Sequence, residues 1–214
     1  MDLIITGMHR SGTSITANIA HSIGVNMGAD LMPPSKYNPK GYFESIEISE
    51  FNEKILNYAG GNWFSPPTKE NLNNIFYIYI NKIKELIEKN KSEVRGFKDP
   101  RISLFLLNYV KLLNKPVVIT TFRDIYDIAK SLKRRDNFKI NYALNVAIEY
   151  YERLVDDFSK INCPLLMIDY EDFFYDKKER NVERIVNFLI QHDEKKLLIE
   201  KYDYNIIEEN YRNL

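Results

Sequence analysis

Short apolar segments recur along the chain and predict the strands of a sheet. Each segment is rich in Ile, Val, Leu or Phe and does not alternate with polar positions, which is the pattern of parallel strands covered on both faces. The predicted strands are LIIT at 3–6, VRGFK at 94–98, PVVITTF at 116–122 and PLLMID at 164–169.

The stretches between these strands carry apolar residues at helical spacing. Ile15, Ile19 and Ile23 predict a helix directly after the first strand and its turn. The other predicted helices are 46–58, 72–89, 102–113, 125–134, 142–158 and 182–189. Because strands and helices alternate, we predict an α/β fold with an open, mainly parallel sheet of about four to five strands, helices on both faces and a phosphate-binding type of loop after the first strand.

Length and composition are those of a globular protein. The 214 residues suit one domain over 1–214, because domains commonly contain roughly 100 to 200 residues. No apolar run approaches the roughly 20 residues that cross a bilayer, and MDLIITG is acidic where a secretory leader is basic. The one cysteine, Cys163, allows neither an internal disulfide nor a cysteine-based metal site. We therefore expect a cytoplasmic protein.

The charges of the chain cancel. Thirty basic and thirty acidic residues leave no global positive field that would attract nucleic acid. We expect no nucleic-acid partner, and any bound anion must be held by a local site.

Two long irregular segments, 28–45 and 60–70, contain Pro-Pro pairs and aromatic residues. Loops of this length often form binding walls or lids, and the first follows the first helix closely enough to reach back over its start, although an ordinary surface loop also fits the pattern. Aromatic residues such as Trp63 in these loops either stack on a sugar or aromatic ligand or hold the loop to the fold.

The segment GMHRSGTS, at 7–14, joins the first predicted strand to the first predicted helix. A glycine-rich turn at this place directs backbone N–H groups and the positive end of a helix dipole to one point, which suits phosphate or sulfate. The glycine spacing is that of G-x-x-x-x-G-K-[ST], but Thr13 stands at the lysine position and the cation is Arg10, whose planar guanidinium can bind two oxygens. Arg10, Thr13 and Ser14 are the candidate anion contacts, although glycine-rich turns from a strand to a helix also occur for packing reasons.

A second predicted anion contact follows the third strand. Arg123 lies at the carboxyl edge of the predicted sheet, where ligands of open α/β sheets bind, and Ser131 follows eight residues later in the next helix. The helical pattern places Ser131 on the outward side, opposite the apolar residues. Arg123 and Ser131 are therefore candidate ligands of a second phosphate. The adjoining run KRRD at 133–136 is either a solvated helix end or a further phosphate contact.

Together these features resemble the sulfotransferases that use 3′-phosphoadenosine 5′-phosphosulfate (PAPS). In that family a [KR]-S-G-T-[ST] loop holds the 5′-phosphosulfate, and an arginine after a strand, with a serine eight residues later, holds the 3′-phosphate. The resemblance implies that PAPS is the cofactor, bound by 10–14 and by Arg123 and Ser131, and that a sulfuryl group moves to a hydroxyl or, less often, an amine.

Further segments are similar to bacterial and glycan-modifying members of that family: NPKGYFE at 38–44, GFKDPR at 96–101 and DYEDF at 169–173. They imply a carbohydrate or glycoconjugate acceptor. Two positions depart from the steroid and phenol members. His9 stands where those enzymes tend to have proline, and residues 211–214 lack their basic, glycine-containing segment that closes over the cofactor.

An acceptor hydroxyl must lose a proton, so a base is expected near the cofactor. Glu44 is the first candidate, by resemblance to glycan-directed members, and its alternative role is a favourable charge at the start of the next helix. Asp99 is the second candidate, with Lys98 and Arg101 as neighbouring cations, and its alternative is an Asp-Pro turn or an ion pair with Arg101. Arg10 is predicted to stabilise the charge on the leaving group, and no metal is expected.

Two other functions fit parts of the sequence. A phosphate-loop kinase or NTPase using Mg-ATP would explain why the strand LLMID ends in Asp169, a possible magnesium ligand, but Thr13 at the lysine position argues against it. A module that binds a nucleotide or glycan without catalysis would keep the anion contacts and need no base.

Overall fold

The computed structural model describes residues 1–174 and 178–193. In chain order its helices and strands are β1 (Asp2–Gly7), α1 (Thr13–Ser22), α2 (Ile46–Tyr58), α3 (Lys69–Ile78), α4 (Ile80–Lys89), β2 (Arg95–Lys98), α5 (Leu106–Val110), β3 (Pro116–Phe122), α6 (Ile125–Asp136), α7 (Ile140–Phe158), β4 (Leu165–Asp169) and α8 (Lys178–His192). Short 3₁₀ helices cover Pro100–Leu104 and Glu171–Phe173. Residues 211–214 lie outside the described residues. None of the helices described is both long and apolar enough to cross a bilayer.

The described strands form one parallel sheet in the order β2-β1-β3-β4. In its register, Leu3 of β1 lies between Gly96 and Val117, and Ile119 of β3 pairs with Leu166. The chain passes from β1 to β2 on one side and then crosses over to β3 on the other side, so the strand order reverses at β1. In open α/β sheets this arrangement opens a crevice at the carboxyl ends of the strands. The predicted fold class is confirmed.

Helices cover both faces of the sheet, as predicted. Successive residues of β1 point to opposite faces, so that Leu3 and Ile5 pack with α1 and α8, whereas Ile4 packs with α2, α6 and α7. All six residues of β1 are buried. This double burial explains why the strand has no polar alternation in its sequence.

Two helices predicted as continuous are interrupted. The predicted helix 72–89 is divided at Tyr79, whose ring stacks on Tyr58 with centroids 5.2 Å apart. Phe76 and Ile83 are both buried, so the apolar period continues across the break and does not reveal it. The predicted helix 102–113 is a 3₁₀ helix followed by the short α5, because Phe105 leaves helical geometry at φ −150° and ψ 39°.

The segment 28–45 returns to the carboxyl edge of the sheet. Its ends are tied together where the backbone N–H of Met32 donates to the carbonyl oxygen of Glu44 at 2.7 Å. Within it, Asn38 Nδ2 donates to Ser14 Oγ at 2.8 Å, which joins the segment to the start of α1. The segment therefore reaches back over the start of the first helix.

Candidate active site

The loop after β1 contains two residues with positive φ, Arg10 at 69° and Gly12 at 99°. Position 12 requires glycine both for its backbone conformation and for lack of room, because a Cβ on Gly12 would lie 2.5 Å from Cδ2 of Tyr170. Ser11 is fully buried, and its hydroxyl donates to the carbonyl oxygen of Met8 at 2.6 Å and contacts Thr121 Oγ1 at 2.8 Å. The hydroxyl of Ser11 thus anchors the loop to β3 instead of lining the cavity described next.

A cavity of about 500 Å³ lies at the carboxyl edge of the sheet, over this loop. Gly12, Thr13, Ser14 and Ile15 line it, so the first turn of α1 forms part of its wall. The first N–H groups of a helix have no partner within the helix and are suited to bind an anion. The rest of the wall comes from the segment 28–45, from residues after β2, β3 and β4, from the end of α6 and from Trp63.

The two predicted anion sites adjoin each other through Arg10. Its Nε donates to Ser131 Oγ at 2.9 Å, and its Nη1 donates to the carbonyl oxygen of Tyr37 at 3.2 Å. Arg123 Nη1 in turn donates to the carbonyl oxygen of Arg10 at 3.0 Å. The sequence pattern placed Ser131 outward, but only 4% of it is exposed, because it packs beneath Arg10. Burial, followed by the charge of Arg135, lowers the pKa of Arg10.

Arg123 lies at the cavity wall with hydrogen-bond donors that no described residue accepts. Its guanidinium lies over the ring of Tyr170, with Cζ 4.2 Å from the centroid. Its Nε is buried without a hydrogen-bond partner among the described residues and lies 3.6 Å from Glu171 Oε1. Burial and a hydrogen bond with Asp169 raise the pKa of Glu171 to about 7. The carboxyl group beside Arg123 is therefore only partly ionised near neutral pH.

A lysine reaches the loop from the neighbouring strand. Lys98 ends β2 and is 4% exposed, and its Nζ donates to Ser14 Oγ at 3.2 Å. The same ammonium group is bound to Glu44 Oε1. Thr13 occupies the lysine position of the loop, so the structure supplies an ammonium group from β2 instead.

Glu44, the first candidate base, lines the cavity. Its Oε1 is bound to Lys98, and its Oε2 accepts from Ser49 Oγ at 3.5 Å and lies 3.8 Å from Arg101 Nη1. The carboxylate is therefore at the cavity wall but is engaged by two cations.

Asp99, the second candidate base, is fully buried and lies behind the cavity wall. Its Oδ1 accepts from the backbone N–H and Nη1 of Arg101 at 2.9 and 2.8 Å. Its Oδ2 accepts from Asn52 Nδ2 at 2.9 Å. These contacts place Asp99 to hold Arg101, which does line the cavity.

The part of the wall around Trp63 contains residues to which sequence reasoning gave no definite role. His9 is 9% exposed, lines the cavity and packs on Trp63 with ring centroids 4.4 Å apart. Arg135, from the run KRRD, also lines the cavity, with Cζ 5.3 Å from the Trp63 centroid. Burial, and then the nearby charges led by Arg101, lower the pKa of His9 well below its ordinary value. His9 is therefore neutral at neutral pH. Its place directly before Arg10 was the available signal in the sequence.

Asp169, the possible magnesium ligand of a kinase, ends the edge strand β4. It is exposed, and its Oδ1 accepts from the backbone N–H of Glu171 at 2.9 Å. It is not part of the cavity wall beside the loop. This placement does not favour the kinase interpretation.

No protein-family model and no curated protein matches the sequence. Solved structures match along most of the chain. The sulfotransferase STF1 from Mycobacterium tuberculosis is 12% identical at a TM-score of 0.50. The match covers 100% of this chain and 76% of that one. The sulfotransferase domain of the Synechococcus PCC 7002 olefin synthase is 15% identical at a TM-score of 0.52, over 97% of this chain and 82% of that one.

A third similar structure is the sulfotransferase domain from the curacin biosynthetic pathway. It is 14% identical at a TM-score of 0.53, over 94% of this chain and 77% of that one. At such low identity the likeness concerns the fold and not the function. The chain therefore has the fold of the sulfotransferases.

Proposed function

We propose that the protein is a PAPS-dependent sulfotransferase. The observation that carries the proposal is the contact between the two predicted anion sites: Arg10 of the loop is hydrogen-bonded to Ser131, and Arg123 to the backbone of Arg10, in or beside one cavity. A donor with a 5′-phosphosulfate and a 3′-phosphate presents two anionic groups on one ribose, which suits adjoining sites. The sulfotransferase fold supports the same function.

The proposal assigns the phosphosulfate to the first turn of α1. There the backbone N–H groups and the hydroxyls of Thr13 and Ser14 meet the cations Arg10 and Lys98. Ser11 belongs to this group through its place in the loop, with its hydroxyl in the anchoring role described above.

The 3′-phosphate is assigned to Arg123 and Ser131. The Nε and Nη2 groups of Arg123 lie on one edge of the guanidinium and have no hydrogen-bond partner among the described residues. Such a fork matches two oxygens of a phosphate. Ser131, which holds Arg10 beside it, adds a hydroxyl to the same region.

PAPS, when bound, supplies the sulfuryl group. The acceptor oxygen forms a bond to sulfur as the bond between sulfur and the phosphate oxygen breaks, and the negative charge that develops on that phosphate oxygen is stabilised by Arg10, Lys98 and the helix N-terminus. The acceptor proton passes to Glu44 in this proposal. Lys98 holds Glu44 Oε1 in this structure. When its ammonium group turns away from Glu44, toward Ser14 and the donor, the Glu44 carboxylate becomes available as a base. Asp99 acts as a positioning residue for Arg101.

The finer parts of the proposal concern the acceptor and the location. We propose a hydroxyl of a carbohydrate or glycoconjugate as acceptor, because Tyr37, Tyr42 and Trp63 add aromatic surface to the polar cavity wall. A cytoplasmic location fits the single cysteine, Cys163, which is unpaired.

The test is a thermal-shift titration with adenosine 3′,5′-bisphosphate (PAP), AMP and Mg-ATP in parallel. A ligand that binds the folded state raises the melting temperature according to its concentration relative to Kd. We expect PAP to stabilise the protein at much lower concentration than AMP or Mg-ATP. Preferential stabilisation by Mg-ATP would replace the proposal with a kinase. Tight PAP binding without sulfuryl transfer to any tested hydroxyl or amine acceptor would indicate a binding module.

A further inference from the structure

Most cations of the cavity wall are already matched by carboxylates. Each of these pairs lies at or directly behind the wall, so its charge is balanced before any ligand binds. The pairs are Lys98 with Glu44, Arg101 with Asp99 at 2.8 Å and with Glu53 at 2.8 Å, and Arg135 with Asp136 at 2.8 Å.

Two cations differ from these pairs. Within the described residues, Arg10 donates to neutral groups, Ser131 and the carbonyl of Tyr37. Arg123 has Glu171 beside it, which is partly protonated near neutral pH. Arg10 therefore has no carboxylate partner in the described part of the chain, and Glu171 Oε1 lies 3.6 Å from Nε of Arg123. Both cations are assigned to the donor, together with Lys98. Once the donor binds, the rest of the wall carries no excess positive charge to attract a second anion.

The part of the wall around Trp63 adjoins His9 of the loop and is held rigidly. Tyr150 donates its hydroxyl to the carbonyl oxygen of Trp63 at 2.9 Å, and Tyr142 donates to that of Phe64 at 2.6 Å. The Trp63 ring also stacks on Phe138, with centroids 5.8 Å apart and planes at 25°. The half-buried indole is therefore fixed in place before a ligand arrives.

Polar groups without partners surround this indole. Nε2 of His9 is buried and has no hydrogen-bond partner among the described residues, an arrangement that costs free energy until a ligand supplies one. Arg135 uses its Nε to bind Asp136 Oδ2. In the described part of the chain, the Nη groups of Arg135 and Oδ1 of Asp136 make no other hydrogen bond, so a donor and an acceptor lie side by side.

We propose that His9, Trp63, Arg135 and Asp136 form the acceptor subsite and that it binds an uncharged saccharide. The indole suits the apolar face of a pyranose ring, while neighbouring sugar hydroxyls pair with the imidazole and with the Arg135 and Asp136 groups. The inference rests on the proposed function, and it adds the place and the charge class of the acceptor.

The single tryptophan of the chain makes the test direct, because all tryptophan fluorescence comes from this wall. The protein is first saturated with PAP, and Trp63 emission is then quenched with acrylamide in the presence of methyl glycosides of glucose, galactose and N-acetylglucosamine. Methyl glucuronide, methyl galacturonide and 4-methylphenol are tested in parallel. We expect at least one neutral glycoside to protect Trp63, and its uronide to bind about tenfold more weakly, because the bound bisphosphate repels it.

Variants separate this subsite from the donor site. His9→Ala and Arg135→Gln should each weaken glycoside protection about tenfold, by loss of a hydrogen bond to the sugar, and His9→Gln should restore part of it. Arg134→Gln removes an exposed charge from the same helix and should change nothing. Circular dichroism and PAP affinity verify that each variant is folded.

The inference is overturned if PAP binds but no neutral glycoside protects Trp63, if a uronide or the phenol protects better, or if both His9→Ala and Arg135→Gln keep full glycoside binding. Failure of PAP to bind would instead reject the proposed function, on which this inference depends.

Discussion

Replacing Arg123 separates the two anion sites experimentally. The Arg123 fork of Nε and Nη2 makes no hydrogen bond with the described residues, with Glu171 Oε1 3.6 Å from Nε, whereas Nη1 is occupied by the carbonyl of Arg10. Two hydrogen bonds from this fork to a 3′-phosphate, at about 1.5 kcal/mol each for a charged partner, amount to about 3 kcal/mol. Arg123→Ala should therefore weaken PAP binding by about 150-fold, or about tenfold if only one hydrogen bond forms.

AMP lacks the 3′-phosphate, so it should lose only what the Arg10 carbonyl contact contributes to the loop. We expect its affinity to fall by no more than about threefold, which corresponds to about 0.6 kcal/mol. Isothermal titration calorimetry of both ligands at one fixed ionic strength gives the comparison, since salt screens exposed charges. Arg123→Lys should retain the charge and lose the fork, so its PAP affinity should lie between those of wild type and Arg123→Ala.

The control is Arg134→Ala, which removes the same charge from an exposed position of α6. It should leave both affinities unchanged. Equal weakening of PAP and AMP by Arg123→Ala would refute the assignment of Arg123 to the 3′-phosphate, and it would show that the residue acts through the loop backbone.

Three further predictions follow from the same cavity. Glu44→Gln should lower sulfuryl transfer by about 10²- to 10⁴-fold in a radiolabel assay while PAP affinity stays nearly constant, and retained turnover would remove Glu44 as the base. Gly12→Ala should lower the free energy of unfolding by at least the roughly 1–2 kcal/mol of left-handed strain, and the melting temperature with it. It should also abolish PAP binding, because its Cβ meets Tyr170, and calorimetry that matches wild type would contradict this packing. The pKa of Glu171 is raised to about 7, so this group ionises and competes for Arg123 as pH rises through that value. The ratio of PAP affinities, Glu171→Gln over wild type, should therefore grow between about pH 6 and about pH 8, and a constant ratio would reject this competition.

The sheet could be predicted from the sequence because its strands are buried on both faces. PVVITTF and LIIT have no polar alternation, and the structure places them in the centre of the sheet. The interruption at Tyr79 could not be predicted in the same way. The helices on both sides of it bury residues in the same core, so the period does not change at the break.

The cavity could be predicted in part. Local motifs identified the loop, Arg123 and Glu44, which all line it. The contact between Arg10 and Ser131 joins residues 121 positions apart, and no local pattern contains it. The same holds for His9 and Trp63, which meet only after the sheet and the segment 60–70 are folded together.

Because Lys98 belongs to β2 and not to the phosphate loop, two separate parts of the chain can change the donor preference of this fold. The phosphate loop and its ammonium group are encoded in separate parts of the chain, 84 positions apart at the Ser14 contact. A mutation in the loop therefore leaves that cation in place, and a mutation of the cation leaves the loop backbone intact. Loop geometry and local charge can therefore vary one at a time, each step keeping an anion site.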